Sequence, residues 1–260
     1  MAVRRQRRLV VVLCLAVATV VAACGLSLFD TIESLMEEGR QLYAAHRYDE
    51  AIAKFERVTV QDSTYWLAYI YIARCYIAKL GWGSAIVNAR KAYQLAPGGG
   101  EVVPVFAEAL FGGGLEALRQ AKFSDAVGHL VEYIRIKPTD PRGYLNVGKA
   151  YLGTGAFGDA LGAFVRGLGQ GGDAAVRQEL LQGLLDGGLQ ALSRGDARGA
   201  IGFFTESVRQ DPRNFSGYLN LGKAYWQSGE RLQALDAFRR VLELSPGHGE
   251  ALQFLRMIPR

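Results

Sequence analysis

Nine residues recur almost unchanged 74 positions apart: residues 143–151 read GYLNVGKAY and residues 217–225 read GYLNLGKAY. The same offset aligns Gly114-Leu-Glu-Ala-Leu with Gly188-Leu-Gln-Ala-Leu, and Ile134-Arg-Ile-Lys-Pro with Val208-Arg-Gln-Asp-Pro, without a gap. A duplicated chain must give equivalent residues equivalent surroundings, which restricts it to an array of like units. Each block divides again near 34 residues, with units starting at Ile32, Trp66, Ala107, Pro141, Leu181 and Phe215. Inside a unit, large apolar residues are spaced three and four apart, which puts them on one face of a helix. Small residues at the eighth and twentieth positions let two helices approach closely, and a proline near the end stops the second one. A single helix pair cannot bury its own apolar face. The copies must stack, and the fold is predicted to be all-α.

This pattern resembles the tetratricopeptide repeat. The unit at 215–248 has Tyr218, Leu221, Gly222, Tyr225, Ala234, Phe238, Val241 and Pro246 at the positions where that family has its signature. The unit at 141–174 keeps Tyr144, Val147, Gly148, Tyr151, Ala160 and Phe164, with Gly172 in place of the closing proline. The units at 32–65, 66–99, 107–140 and 181–214 keep fewer of these residues, among them Gly39, Phe55, Ala73, Pro97, Gly114, Pro138, Gly188 and Pro212. The resemblance implies a right-handed α-solenoid of about six helix pairs over residues 32–248, with residues 249–260 as a capping helix. Six or seven extra residues fall at 97–110 and 171–179. With Asp173 as a cap and Pro104 in a first turn, they predict lengthened first helices in the third and fifth units; a short loop before an ordinary helix is the other reading. Of 32 glycines, Gly162, Gly167 and Gly169 fit no repeat position, so the middle of the array is predicted to be its softest part.

Residues 1–23 form a leader. Arg4, Arg5, Arg7 and Arg8 precede an uncharged apolar run, Leu9 to Ala23, as in a secretory signal. The end, Val21-Ala22-Ala23-Cys24, resembles a bacterial lipobox, which implies cleavage before Cys24, lipid on its sulfur and a short tether over 24–31. An uncleaved anchor and an ordinary cleaved signal are the competing readings. All three export the remainder, and Gly25 after the cysteine favours the outer membrane over the inner in a diderm cell. Removing the leader leaves 26 basic against 25 acidic residues. With no concentrated basic patch, nucleic acid is not an expected partner.

No catalytic constellation is present: no nucleophile elbow, P-loop or HExxH, and the three histidines are far apart. Gly112-Gly113-Gly114 falls at helix-packing positions, and His248 sits in a turn before the closing helix. Cys75 reads as a small buried hydrophobe. The chain is therefore expected to be non-catalytic, without metal, cofactor or small-molecule substrate. In proteins with this repeat the first helices line a concave groove for partner segments. Carried over by position, Arg40, Arg74, Lys149 and Lys223 share the ninth position, and Asn146 and Asn220 the sixth. Tyr43, Tyr71, Phe111, Leu152 and Trp226 add apolar surface nearby. The set is similar to a carboxylate clamp, although the same residues equally suit a solvated helix face. The expected function is a membrane-anchored scaffold for envelope proteins, as in pilus, outer-membrane or polysaccharide export machinery. The alternatives are a self-associating organiser and an accessory subunit of an envelope enzyme.

Overall fold

The computed structural model describes residues 30–257, which contain thirteen α-helices and no strand. Residues 1–23, expected to be a leader, and Cys24, expected to carry lipid, lie outside these residues. The helices are α1 (Ile32–Ala44), α2 (Tyr48–Gln61), α3 (Trp66–Ala78), α4 (Trp82–Leu95), α5 (Val102–Arg119), α6 (Phe123–Ile136), α7 (Pro141–Thr154), α8 (Phe157–Gly169), α9 (Ala174–Ser193), α10 (Ala197–Gln210), α11 (Phe215–Ser228), α12 (Arg231–Leu244) and α13 (Gly249–Met257). The extra residues between the third and fifth sequence units and their predecessors belong to helices. α5 has 18 residues and α9 has 20, against 13 or 14 in the other first helices. The Asp173 side chain caps α9 by accepting from the Val176 N–H at 2.8 Å, and Pro104 lies in the first turn of α5.

The chain divides between Val105 and Phe106, inside α5, into two compact units. In the first, α1 packs on α2, α2 on α3 and α3 on α4, and α1 also meets α3. Leu35, Met36, Phe55, Val58, Ile72 and Cys75 form its core. In the second unit every helix from α6 to α13 packs on the next, and the first helices α7, α9 and α11 also touch in sequence. Repeated helix pairs thus bury a face that neither member could bury alone.

One contact explains the glycine at the eighth position. A Cβ placed on Gly39, Gly148, Gly188 or Gly222 would stand 2.5–2.6 Å from the ring of Phe55, Phe164, Phe204 or Phe238 respectively. Gly114 meets Leu130 in the same way at 2.6 Å. In the second repeat the facing residue is Ala89, fully buried, and there the eighth position is Ala73. The chain thus pairs a small residue with a large one, or small with small, at one depth in every helix pair. Gly167 also has a packing role, because its Cβ would lie 2.8 Å from Leu180 Cδ2 and 3.0 Å from Tyr144 Cβ. Around Gly162 and Gly169 the space is open.

Each first helix ends through one left-handed residue, whose successor donates its N–H to a carbonyl five residues back. In the last three pairs that residue is Gly155, Gly195 or Gly229; in the first three it is His46, Leu80 or Ala121, with φ of 59°, 57° and 56°. A side chain in this region costs about 1–2 kcal/mol. Leu80 is 70% exposed, so its side chain offsets little of that by burial. Leu80→Gly is expected to stabilise the first unit by about 1 kcal/mol, less some extra entropy of the unfolded chain. A chemical-unfolding midpoint no higher than the wild type's would contradict this.

Candidate functional site

The ninth position of the first helices carries the cations singled out in the sequence, and three of the four pair with a glutamate farther along the chain. In the first unit the Arg74 guanidinium lies 3.1 Å from the Glu101 carboxylate, just before α5, and 5.2 Å above the Tyr71 ring centroid. Arg40 makes no such bridge. The residue 27 positions on is Leu67, and Arg40 turns back along α1 to the Met36 carbonyl at 3.3 Å and Glu37 at 3.7 Å.

In the second unit Lys149 Nζ of α7 lies 2.9 Å from Glu179 of α9, and Lys223 Nζ of α11 lies 2.8 Å from Glu250 of α13. The ninth positions of α5 and α9 hold Leu115 and Leu189, which are 38% and 48% exposed. Along this unit the position therefore reads Leu115, Lys149, Leu189, Lys223: apolar and cationic in alternation. The leucines and the three glutamates were not among the residues picked from the sequence. The leucines occupy the same repeat position as the lysines, so position alone would have found them.

These ion pairs are part-exposed, and such pairs contribute about 0.2–1 kcal/mol each. An ammonium has three donors, so a bridging glutamate leaves Lys149 and Lys223 able to donate to a second carboxylate. The row is pre-positioned without being saturated. Asn146 is more committed, with Nδ2 donating to the Arg142 carbonyl of its own helix at 2.8 Å. Asn220 is half-buried on α11.

The aromatic candidates are largely used in packing. Tyr71 stacks on Phe55 at 5.0 Å and meets Tyr43 edge-on at 6.0 Å. Phe111 lies between the Tyr133 ring at 4.9 Å and the Arg142 guanidinium at 5.7 Å. Trp226 is covered by Arg231 at 3.6 Å and touches Phe254 of α13 at 5.9 Å. Leu152 is buried.

Other reactive groups are accounted for by structure. Burial pushes the Cys75 thiol up to about 12, which removes it as a nucleophile near neutrality. His248 accepts the Ala251 N–H through Nδ1 at 3.4 Å and so caps the closing helix. Among the described residues, no three His, Cys, Asp or Glu side chains are grouped to hold a metal ion, and no helix is long and apolar enough to cross a membrane.

A tetratricopeptide-repeat family model matches residues 185–249, which run from α9 to the start of α13. A curated relative, the tetratricopeptide repeat and J domain-containing co-chaperone DNJ1 of Fusarium oxysporum f. sp. lycopersici, is 34% identical over 67 residues. That match covers 25% of this chain and only 13% of the co-chaperone. Among solved structures, Naa15/Naa10 bound to HypK-THB superposes with a TM-score of 0.54 at 14% identity, covering 88% of this chain and 34% of the matched one. YrrB, a TPR protein with an unusual peptide-binding site, covers 86% of this chain and 91% of its own at 17% identity and a TM-score of 0.38. At 14% identity the likeness to the Naa15/Naa10 structure is one of fold. Residues 185–249 thus match the tetratricopeptide repeat, and the helix pairs before them repeat the same small-against-large packing.

Proposed function

We propose that this protein is a non-catalytic scaffold whose first-helix faces hold an extended or helical segment of a partner protein, with a preference for carboxylate groups. The supporting observation is the ninth position of the second unit, where Lys149 and Lys223 each hold a part-exposed glutamate, a pairing that Arg74 repeats within the first unit. In a chain with almost no net charge after its leader, such a row makes a local field that the net charge conceals. Partner carboxylates enter by sharing or displacing Glu101, Glu179 and Glu250. Because each exposed contact is worth only about 0.2–1 kcal/mol, the three cations have to be changed together. The variant Arg74→Ala/Lys149→Ala/Lys223→Ala is expected to capture less of its envelope partners and to lose salt dependence, with helicity by circular dichroism intact. Undiminished capture at every salt concentration would place binding on another face.

The setting proposed for this activity is the periplasmic side of a membrane, with the outer membrane favoured in a diderm cell and Cys24 carrying the lipid. The support is the charged and apolar leader ending in Val21-Ala22-Ala23-Cys24. A fatty-acid probe is expected to label the wild type and not Cys24→Ser; equal labelling would overturn the anchor.

A further inference from the structure

The two halves of the duplication differ on their second helices, and the differences are complementary. Gly158 and Gly162 of α8 border a cleft of about 230 Å³ with α6 on its far side and Tyr144, Val147 and Tyr151 of α7 behind. A Cβ on either glycine would meet nothing within 4 Å, so the cleft is open because two side chains are missing. Arg166, one helical turn beyond Gly162, stands exposed at the rim. Among the described residues its guanidinium has no ion-pair or hydrogen-bond partner. Exactly the missing groups occur 74 residues later: α12 has Leu232 where α8 has Gly158, and Asp236 where α8 has Gly162.

Leu232 is 75% exposed, a large apolar side chain held in water. It does not line the equivalent cleft of its own repeat, which Gln233, Asp236 and Arg240 border on the α12 side. Four residues apart, Leu232 and Asp236 lie on one face of α12. The Asp236 carboxylate is 78% exposed and has Arg239 only at 3.8 Å. One helix thus presents an apolar knob followed by an anion. The other presents a socket followed, one turn on, by a cation in the same order.

We infer that this protein associates with a second copy of itself through these surfaces, α12 of one copy seated against the α6–α8 cleft of the next. Leu232 enters the space beside Gly158 and Gly162, and Asp236 faces Arg166. Knob and socket are different patches of one molecule, so the contact is heterologous. Each added copy carries a further free knob or socket, and assembly proceeds to rings or open chains instead of stopping at a pair. The contact uses second helices and leaves the ninth-position row of the first helices accessible, so it stands or falls apart from partner capture.

The test is sedimentation of the full chain in detergent over a wide concentration range, for the wild type, Gly162→Leu and Leu232→Glu. Gly162→Leu fills the socket but keeps the knob; Leu232→Glu does the reverse. The wild type is expected to form species beyond the dimer as concentration rises, and more weakly at high salt, while each variant alone stays monomeric. An equimolar mixture of the two variants retains one working knob and one working socket, and is expected to give dimers and nothing larger. Circular dichroism and thermal melting show that both variants are folded. A wild type that is monomeric throughout, variants that associate as the wild type does, or a mixture that remains monomeric would each overturn the inference.

Discussion

Gly148→Val is expected to destabilise the second unit by about 3 kcal/mol, because a side chain there must displace a ring that has nowhere to go. The first added atom alone would lie 2.5 Å from Phe164 Cε1, and Phe164 is fully buried. The same ring is also pressed from the next repeat, where a Cβ on Gly183 of α9 would come within 2.8 Å of the same atom. Phe164 thus fills a slot between two glycines on two first helices, and moving away from one means moving into the other. Gly148→Ala should cost about 1–2 kcal/mol, since overpacking outweighs the 0.5–1 kcal/mol that alanine gains over glycine in a helix. Gly162→Ala, in open space, should show the propensity gain alone and stabilise. Denaturant unfolding followed by circular dichroism measures all three. The chain contains its own rescue design in Ala73 opposite Ala89. Gly148→Ala combined with Phe164→Ala should therefore cost less than the sum of the two single changes. Additive costs, or a Gly148→Val protein as stable as Gly162→Ala, would remove the slot as the explanation.

This contrast shows what the sequence could and could not reveal. Gly148 and Gly222 were recognisable as helix-packing residues because they recur at one repeat position beside apolar residues of helical period. Gly158 and Gly162 look identical to them as letters, and only the surroundings separate a glycine that admits a ring from one that leaves a cleft. The same limit applies to the cation row. Arg74, Lys149 and Lys223 were legible as a row, but their glutamates lie 27, 30 and 27 residues away. The offset is not constant from pair to pair, so no fixed spacing announces the bridges. Nor does helical period say which ring covers which. Tyr71 on Phe55 and Trp226 beneath Arg231 are closed by neighbours from other helices, so rings that read as exposed surface in the sequence are part of the packing.

Acid is expected to unlock the start of α7 before it affects the matching start of α11. Asp140 caps α7 just ahead of Pro141, accepting the Arg142 N–H at 3.0 Å. Its carboxylate also receives the Arg142 guanidinium at 3.0 and 2.7 Å and the Tyr133 hydroxyl at 2.5 Å. The Arg142 hydrogen bonds, before any other cause, hold its pKa down to about 2, against 3.8 for a free aspartate. A carboxylate whose folded pKa is depressed contributes stability above the unfolded pKa, and that contribution is lost as pH falls through the folded one. The window is thus about pH 4 down to pH 2, and the contribution at neutral pH is about 2 kcal/mol. At the duplicated position α11 is capped by Asn214, whose Oδ1 accepts from the Gly217 N–H at 3.1 Å without carrying charge. Asp140→Asn therefore imitates a cap the protein already uses while deleting the titration. The wild type should be the more stable by about 2 kcal/mol at pH 5, and the two should converge as pH approaches 2. Hydrogen exchange of wild-type amides should show α7 losing protection over that window, while the first turn of α11 follows only the global stability. Parallel stability curves for wild type and Asp140→Asn would mean that Asp140 is as strongly paired in the unfolded chain as in the folded one.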